Sequence, residues 1–317
     1  MPNTNQGYKQ ILVAMDYSPD ARAALQQAAW LARQSRAGIC VAHTVADLKR
    51  IADFALLIDA VDGWFGGNFQ REIREASDDR LRQLIVDLKA DDLDVTMETF
   101  LGEPFVEITR AVQQQRYDLV LAGTRGLAAW EQFLVGSTAK RLIRKCPSSV
   151  WIVKAQHVGP PKAVLAAIDF SEVSRRAALE GLWIANHATA EFHVLHVIDS
   201  MDIPEDVISK IPAGSSLRKE INAEAKHRLE GFVDSLNTEP SRVQQHLTWG
   251  TPWKEIGRLA LHLKIDLLAM GTVGRSGLKG LLLGNTAEKV LGACDCSILT
   301  VKPANFISPL APPFVGE

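Results

Sequence analysis

Short apolar runs alternate with longer amphipathic segments along the whole chain. The runs at residues 10–15 and 163–168 are apolar and closed by a polar turn, which is typical of strands buried in a parallel sheet. The amphipathic segments repeat apolar residues at helical spacing. The longest in each half has one apolar face, from Phe69 to Leu88 and from Leu217 to Leu236. Strands separated by helices predict parallel sheets with helices on both faces.

The same order of elements is predicted twice. Strands are predicted at residues 10–15, 39–43, 95–100, 118–122 and 149–153, and again at 163–168, 192–197, 243–249, 266–270 and 297–301. Besides the two long helices, helices are predicted at 20–34, 104–115 and 137–145, and again at 173–187, 252–263 and 285–293. The predicted fold is α/β, with two doubly wound, five-stranded parallel sheets in tandem and helices on both faces of each.

Particular residues repeat at the same places in the two halves. Asp16-Tyr-Ser18, after the first strand, returns as Asp169-Phe-Ser171 at an offset of 153 residues. After the fourth strands, two glycine patterns match at an offset of 148. In the first, Gly123-Thr-Arg-Gly126 is followed after nine residues by Gly136-Ser137-Thr138. In the second, Gly271-Thr-Val-Gly274 is followed after nine residues by Gly284-Asn285-Thr286.

This repeat predicts two domains, which a chain of 317 residues accommodates at about 150 residues each. We expect a first domain at 1–155, a linker at 156–161, a second domain at 162–305 and a loosely ordered tail at 306–317.

The glycine patterns are suited to holding phosphate. The first glycine of each would allow a tight turn off the strand, and the second would let the backbone approach a ligand. The third opens a helix, whose free N–H groups and partial positive charge favour a di- or triphosphate. One copy alone would indicate only a turn and a helix start. Two copies after matching strands favour an ancestral phosphate site, although they do not establish that both still bind.

Two polar residues of each half end strands at the same predicted edge. Asp16 and Asp169 favour contact with a ribose hydroxyl or a phosphate-bound Mg²⁺, the alternative being an aspartate that only forms a turn. His43 and His196, which end the second strands, favour buried histidines that satisfy a backbone group. The Cys294-x-Cys296 pair favours core packing over a metal or redox site, and the four cysteines do not form a disulfide framework.

Composition narrows the class of protein. Apolar residues make up 47% of the chain and charged residues 23%, which is ordinary for a globular protein. The net charge of −2 gives no electrostatic case for nucleic acid or an anionic membrane. The N-terminal residues lack an apolar signal core and no segment predicts a membrane span, so we expect a cytoplasmic protein.

Two patterns together resemble those of the universal stress protein family. They are Asp-x-Ser after the first strand and Gly-x-x-Gly-x9-Gly-Ser/Thr after the fourth. The resemblance covers about residues 9–303 in two tandem copies, and the stretches 142–154 and 271–288 look like the bacterial tandem E-type members. For the family's nucleotide-binding branch it implies ATP as the ligand, with Mg²⁺, and a site completed by the backbone after the second strand. The implied nucleotide-binding residues are Asp16, Thr44, Gly123, Gly126, Gly136, Ser137, Thr138, Asp169, Val197, Gly271, Gly274, Gly284, Asn285 and Thr286.

The second half departs from the family pattern at Asn285, which replaces the Ser or Thr after the third glycine. Its larger amide would crowd a phosphate, so the case for ATP is stronger in the first half. The apolar segment 53–69 is a candidate lid for a lipid-linked ligand, although an ordinary packed helix is the favoured interpretation.

The sequence favours binding over catalysis. No Gly-x-Ser-x-Gly, His-Glu-x-x-His or Walker motif occurs, and no lysine closes either glycine loop to clamp a γ-phosphate. We expect a ligand-linked stress-response sensor or regulator with no catalytic residues and no structural metal. The alternatives are a weak ATPase or nucleotidyl-transferring enzyme, and a carrier of a non-nucleotide or lipid-linked ligand. We also expect the two final strands to pair within the chain as a pseudo-dimer, with a homodimer possible.

Overall fold

One ten-stranded sheet organises the described part of the chain. The structure is a computed structural model, and it describes residues 7–45, 69–124, 136–156, 158–199, 215–273 and 283–310. Within these ranges each half alternates strands and helices, as the apolar pattern predicts.

The first half contributes five strands and four helices. The strands are β1 (Gln10–Met15), β2 (Gly38–Val45), β3 (Val95–Leu101), β4 (Leu119–Gly123) and β5 (Ser149–Val153). The helices are α1 (Pro19–Ser35), α2 (Phe69–Leu88), α3 (Pro104–Gln115) and α4 (Ser137–Lys145).

The second half repeats this set of elements. Its strands are β6 (Ala163–Ile168), β7 (Glu191–Asp199), β8 (Val243–Gly250), β9 (Leu267–Gly271) and β10 (Ser297–Val301). Its helices are α5 (Glu172–Ala188), α6 (Ser216–Asp234), α7 (Pro252–His262) and α8 (Asn285–Ala293), with a 3₁₀ turn at Pro240–Arg242.

The strand order is β3-β2-β1-β4-β5-β10-β9-β6-β7-β8. The strands are parallel within each half, so the predicted doubly wound α/β fold is confirmed. The order in which the chain adds strands to the sheet reverses between β1 and β4, and again between β6 and β9. In open α/β sheets, ligands bind at such switch points, beyond the carboxyl ends of the strands.

The final strands of the two halves are neighbours at the centre of the sheet. β5 and β10 pair antiparallel, with Leu299 opposite Trp151, and every residue of both strands is buried. The two five-stranded sheets are therefore halves of one continuous sheet, and neither β5 nor β10 is left as an exposed apolar edge.

Two lysines at matching positions tie the halves together beside this seam. The Lys154 ammonium donates to the carbonyl of Cys294, 2.8 Å away at the end of α8, and Lys302 donates to the carbonyl of Ile143 in the last turn of α4. Each amino group therefore caps the carbonyl end of the other half's last helix, where a positive charge is favourable. Burial lowers the pKa of Lys302 to about 7.

Helices cover both faces of the sheet. Apolar side chains of α1, α2, α5 and α6 pack in one core, and those of α3, α4, α7 and α8 pack in the other. Each core draws residues from both halves, which makes the seam part of the packed interior.

Most predicted boundaries are close to the observed ones. β2 and β7 run further than predicted because β3 and β8 keep pairing with them, as far as Val45 opposite Leu101 and Asp199 opposite Gly250. The predicted helix caps are present: the Ser18 hydroxyl accepts from the N–H of Ala21, and that of Ser171 from the N–H of Ser174.

The linker and the start of the tail are packed against the body of the protein. The Gly159 N–H donates to the Gln27 side chain (3.1 Å), and the Gln113 amide of α3 donates to the Leu310 carbonyl (3.3 Å). The Leu310 carbonyl is thus bound to α3, Ile307 is 86% exposed, and the loosely ordered tail expected at 306–317 stays a prediction. The remaining residues, 311–317, lie outside the described ranges. No helix in the described part of the chain is both long and apolar enough to cross a membrane.

Candidate functional site

The first-half candidates meet at the switch point between β1 and β4. Asp16 follows β1 directly and Gly123 ends β4, and the register of Ala14 opposite Ala122 brings these two strand ends together. The N–H of Gly136 donates to the carbonyl of Thr124 across 2.6 Å, which brings the start of α4 to the same edge.

The second half builds the same arrangement between β6 and β9. Asp169 follows β6, Gly271 ends β9, and Ala167 lies opposite Met270. The N–H of Gly284 donates to the carbonyl of Thr272 at 2.7 Å. The repeat seen in the sequence is therefore a repeat of geometry.

Both aspartates form the turn that leads into the following helix. The Asp16 carboxylate accepts from the Ser18 N–H (3.0 Å), and that of Asp169 accepts from the N–H (3.0 Å) and the hydroxyl (2.6 Å) of Ser171. Each aspartate is half-buried. The turn-forming role is thus present, and a ligand would have to share these carboxylates with the turn.

The residue after each aspartate has a left-handed backbone that aromatic residues rarely adopt. Tyr17 and Phe170 both have φ near 64°. In the first half, the Tyr17 ring lies between His43, with ring centroids 4.8 Å apart, and the guanidinium of Arg80, 3.8 Å from the ring centre. These contacts offset the backbone strain and fix the turn that presents Asp16.

The second half reproduces this stack. Phe170 lies 4.2 Å from the His196 ring, centroid to centroid, and 4.5 Å from the guanidinium carbon of Arg228. Arg228 is the repeat partner of Arg80 at the offset of 148. Neither arginine has a signal in the sequence, because nothing in a helical pattern shows which ring a side chain will cover.

The histidines bond to backbone, as predicted. Nδ1 of His43 lies 2.7 Å from the Met15 carbonyl oxygen, and Nδ1 of His196 lies 3.0 Å from that of Ile168. In each half the ring nitrogen therefore donates to the last residue of the first strand. Both rings are half-buried rather than fully buried.

The first glycine of each pattern is required because a Cβ would have no room, and not because the chain makes a left-handed turn there. Neither Gly123 nor Gly271 has a positive φ. A Cβ on Gly123 would lie 2.7 Å from the backbone nitrogen of Ala21, and one on Gly271 would lie 2.9 Å from a methyl carbon of Val173. These glycines let the start of the helix after the first strand pack directly on the fourth strand.

Gly123→Ala is therefore expected to destabilise the full-length chain by about 1–3 kcal/mol, because the new methyl group meets backbone that cannot move aside cheaply. Urea unfolding measures the change. Gly231→Ala in α6 is the matched control: nothing lies within 4 Å of its added Cβ, so it should stabilise by about 0.5–1 kcal/mol. Equal effects of the two substitutions would contradict the close approach at Gly123.

The third glycines begin helices, as predicted. Gly136 and Gly284 are the N-caps of α4 and α8, with extended backbone and no side chain to occupy the first-turn N–H groups. Ser137 and Asn285 follow as exposed residues, and Thr138 and Thr286 are half-buried.

The two helix starts differ in charge. Lys140 in the first turn of α4 is replaced by its repeat partner Glu288 in α8, whose carboxylate accepts from Arg144 of the first half. The first-half edge is therefore the more favourable place for an anion.

The remaining predicted residues are placed less directly. The Thr44 hydroxyl is buried without a hydrogen-bond partner among the described residues, and the Val197 side chain packs in the core, which leaves only the Val197 backbone for a ligand. Gly126 and Gly274 lie outside the described residues, as does the lid candidate 53–69 except for Phe69, the first residue of α2.

One pair that supports the first-half loop has no signal in the sequence. The buried Asp20 carboxylate accepts from the hydroxyl of Thr124 and, through its other oxygen, from the N–H of Ala155 (3.0 Å). It thereby joins α1, the loop after β4 and the linker. An acidic residue in a first helical turn is so common that its sequence position carries no such signal.

The cysteine pair lies in the core. Cys294 and Cys296 are buried and free, and the hydrogen bond between them lowers the pKa of the Cys294 thiol and raises that of Cys296. Among the described residues, no group of three or more His, Cys, Asp or Glu side chains is arranged to hold a metal ion.

Known proteins resemble this chain over both halves. The model of the universal stress protein family matches residues 7–154 and 161–302. Universal stress protein E of Escherichia coli K12 is 27% identical over 226 residues, covering 66% of this chain and 68% of that protein. Its homologue in Haemophilus influenzae is 28% identical over 211 residues, covering 62% of this chain and 66% of that protein.

Other similar proteins span almost the full length. Universal stress protein E of Photorhabdus laumondii is 23% identical over 319 residues, covering 96% of this chain and 98% of that protein. The crystal structure of a universal stress protein from Archaeoglobus fulgidus matches with a TM-score of 0.64 and 22% identity, over 92% of this chain and 98% of that one. The latter likeness concerns the fold alone. Because the family model matches both halves, the chain belongs to the universal stress protein family as a tandem, E-type member.

Proposed function

We propose that this protein binds ATP at the carboxyl edge of its first half and acts as a ligand-linked regulator. One observation carries the proposal: the uncapped start of α4 is held by the 2.6 Å hydrogen bond from Gly136 to Thr124, at the switch point where Asp16 also ends its strand. Open N–H groups, a helix dipole and a carboxylate thus share one edge.

Each part of this edge suits a different part of the nucleotide. The N–H groups at the start of α4, with the hydroxyls of Ser137 and Thr138, would bind the phosphates. Asp16 would bind a ribose hydroxyl or Mg²⁺, and the strand end at Thr44 would contact the base side. When bound, Mg²⁺ would neutralise phosphate charge.

The second-half edge offers less to a triphosphate. Glu288 places a carboxylate in the first turn of α8, and the Asn285 amide stands where Ser137 offers a small hydroxyl. We propose that the first half holds the tighter site. The cytoplasmic location expected from the sequence remains a prediction.

Native mass spectrometry of freshly purified full-length protein, repeated over hours with added ATP and Mg²⁺, tests the function. We expect one bound ATP per chain and the loss of this ATP in Asp16→Ala. We also expect hydrolysis far below the roughly 1–100 s⁻¹ of dedicated kinases, because no residue is arranged as a clamp lysine or base at the described part of the site. A turnover of several per second that disappears in Asp16→Ala would instead make the protein an enzyme. A bound apolar adduct in place of ATP would make it a carrier.

The seam predicts how the first half behaves alone. Residues 1–156 should dimerise, because β5 would otherwise expose an unpaired strand whose five residues are all buried in the full chain. Sedimentation at increasing concentration measures this. Ile152→Lys in the same fragment should keep it monomeric, since Ile152 lies opposite Ile298 in the seam. A wild-type fragment that stays monomeric at high concentration would contradict the pairing as an assembly interface.

A further inference from the structure

We propose a second binding site, for a small molecule that carries a carbonyl or carboxylate oxygen, in a cavity between α1, the linker and the starts of β9 and β10. The cavity measures about 160 Å³. Its lining includes Gln27, Trp151, Gly159, Pro161, Asp266 and Ser297, and none of the predicted nucleotide-binding residues that the structure describes. The inference is independent of the proposed ATP site.

Two unpaired donors in the lining indicate what the cavity would bind. Gln27 is 1% exposed and Trp151 is 2% exposed, yet Nε2 of Gln27 and Nε1 of Trp151 have no hydrogen-bond partner among the described residues. Such buried donors are rare in folded proteins because leaving them unpaired costs stability. A ligand with an acceptor oxygen would satisfy them.

The orientation of the Gln27 amide is set by the linker. Its oxygen accepts from the N–H of Gly159 at 3.1 Å, so the amide nitrogen is the end left without a partner among the described residues. An indole N–H can only donate. Both unpaired groups therefore require an acceptor, which excludes a purely cationic or purely donating ligand.

The repeat supplies an internal comparison, because the same place in the other half is filled by the chain itself. Glu180 is the repeat partner of Gln27 and Tyr8 that of Pro161, both at the offset of 153. The Tyr8 hydroxyl donates to one Glu180 oxygen (3.0 Å), and the Ser149 hydroxyl donates to the other (3.0 Å).

The cavity exists because this filling is missing on its side. Proline replaces the tyrosine and removes its ring and hydroxyl. An amide replaces the carboxylate and turns an acceptor-only group into a donor. Trp151 replaces Leu299 at the offset of 148 and adds a second donor. At this position of the fold, the polar groups are thus hydrogen-bonded within the chain in one half and open to an external acceptor in the other.

Size and charge limit the ligand further. A volume of 160 Å³ is close to the roughly 150 Å³ that accommodates benzene in a protein interior, so the part of the ligand held inside has only a few heavy atoms. The Asp266 carboxylate in the lining accepts from the N–H of Lys162 (2.6 Å) and of Ala163 (3.2 Å), which offsets part of its charge. Small carboxylates and small amides share the required acceptor oxygen.

The test is a titration of the full-length protein, followed through the indole N–H signals in ¹H–¹⁵N NMR spectra. Trp151→Phe identifies the Trp151 signal. Acetate and acetamide are the two probes, and a saturable shift of the Trp151 signal with either one supports the site. Comparing the two probes shows whether the site prefers a charged or a neutral ligand. If neither probe shifts the signal at its highest soluble concentration, the proposal is overturned and the cavity holds water only.

Two variants separate binding at the cavity from a general effect. Gln27→Glu keeps the acceptor for Gly159, removes the amide donor and reproduces the residue that the other half already carries. This variant should weaken binding of the probe about tenfold or more, which is the change expected from losing a hydrogen bond to a buried donor. Pro161→Tyr should fill the cavity and abolish the shift. If both variants fold and both bind like the wild type, the site lies elsewhere and the proposal is wrong.

Discussion

Gly136→Asp is expected to weaken ATP binding by the full-length protein about a hundredfold or more, because two or more charge-assisted hydrogen bonds, each worth about 1.5–3 kcal/mol, would be lost together. An aspartate at an N-cap accepts the first-turn N–H groups itself and adds a negative charge at the place proposed for the phosphates. The same change makes a better helix cap, so the fold should be retained or stabilised. Isothermal titration calorimetry measures the loss.

Gly284→Asp is the matched control at the repeat position. Gly284 caps α8 in the same geometry as Gly136 caps α4, with the same hydrogen bond to the preceding threonine carbonyl. We expect this variant to leave the tighter site intact, because Glu288 and Asn285 already make the second edge poor for a triphosphate. If Gly284→Asp alone removed the tight site, the ranking of the halves would be reversed. If neither variant changed binding, the helix starts would have no part in it.

Glu180→Gln is expected to stabilise the protein by about 3 kcal/mol at pH 8 and to leave its stability nearly unchanged at pH 4.5. Burial raises the pKa of Glu180 from 4.5 to about 7, with a smaller contribution in the same direction from Asp118. The hydroxyls of Ser149 and Tyr8 and the charge of Arg176 act in the opposite direction without offsetting it. A pKa displaced from 4.5 to about 7 corresponds to about 3 kcal/mol.

The sign follows from which state holds the proton more tightly. Because the folded pKa is raised, the contribution of Glu180 to stability is fully present below pH 4.5 and is lost as the pH rises through about 7. A glutamine resembles the protonated acid at every pH, and Gln27 already occupies the repeat-related position. The difference between variant and wild type should therefore appear between these two pH values.

Urea unfolding at a series of pH values measures this difference. Glu172→Gln, at the exposed start of the same helix, is the control for removing a carboxylate outside the buried seam. A constant difference between Glu180→Gln and wild type across the range would mean that Glu180 titrates normally. The result matters for assembly, because Glu180 of the second half contacts Tyr8 and Ser149 of the first.

The elements of this fold were predictable because their signals are local. The strands Gln10–Met15, Ala163–Ile168, Ser149–Val153 and Ser297–Val301 and the helices Ser137–Lys145 and Asn285–Ala293 begin and end where the pattern placed them. Apolar periodicity and capping serines act over a few residues, so a single sequence displays them. The repeat added the topology, since two matching βα series leave few arrangements of parallel strands.

Part of the candidate site was predictable for the same reason. Asp16, Gly123 and Gly136 follow or end elements whose order fixes a common edge, and the structure brings them there. The reason for Gly123 was not predictable. Its neighbour is Ala21, about a hundred residues earlier in the chain, and only packing of α1 on β4 reveals the contact.

By itself, the sequence determined the two-fold repeat, the α/β class, the helix starts and the edge at which the aspartates and the equally spaced glycines meet. Tertiary structure alone decided which side chains complete that frame. It paired Asp20 with Thr124, stacked Arg80 on Tyr17, directed Lys154 and Lys302 across the seam, and filled one repeat-related space with Tyr8 while leaving the other open. The physical reason is range: propensity and periodicity act between near neighbours in sequence, whereas each of these contacts depends on how separate elements, most of them many residues apart, are packed together.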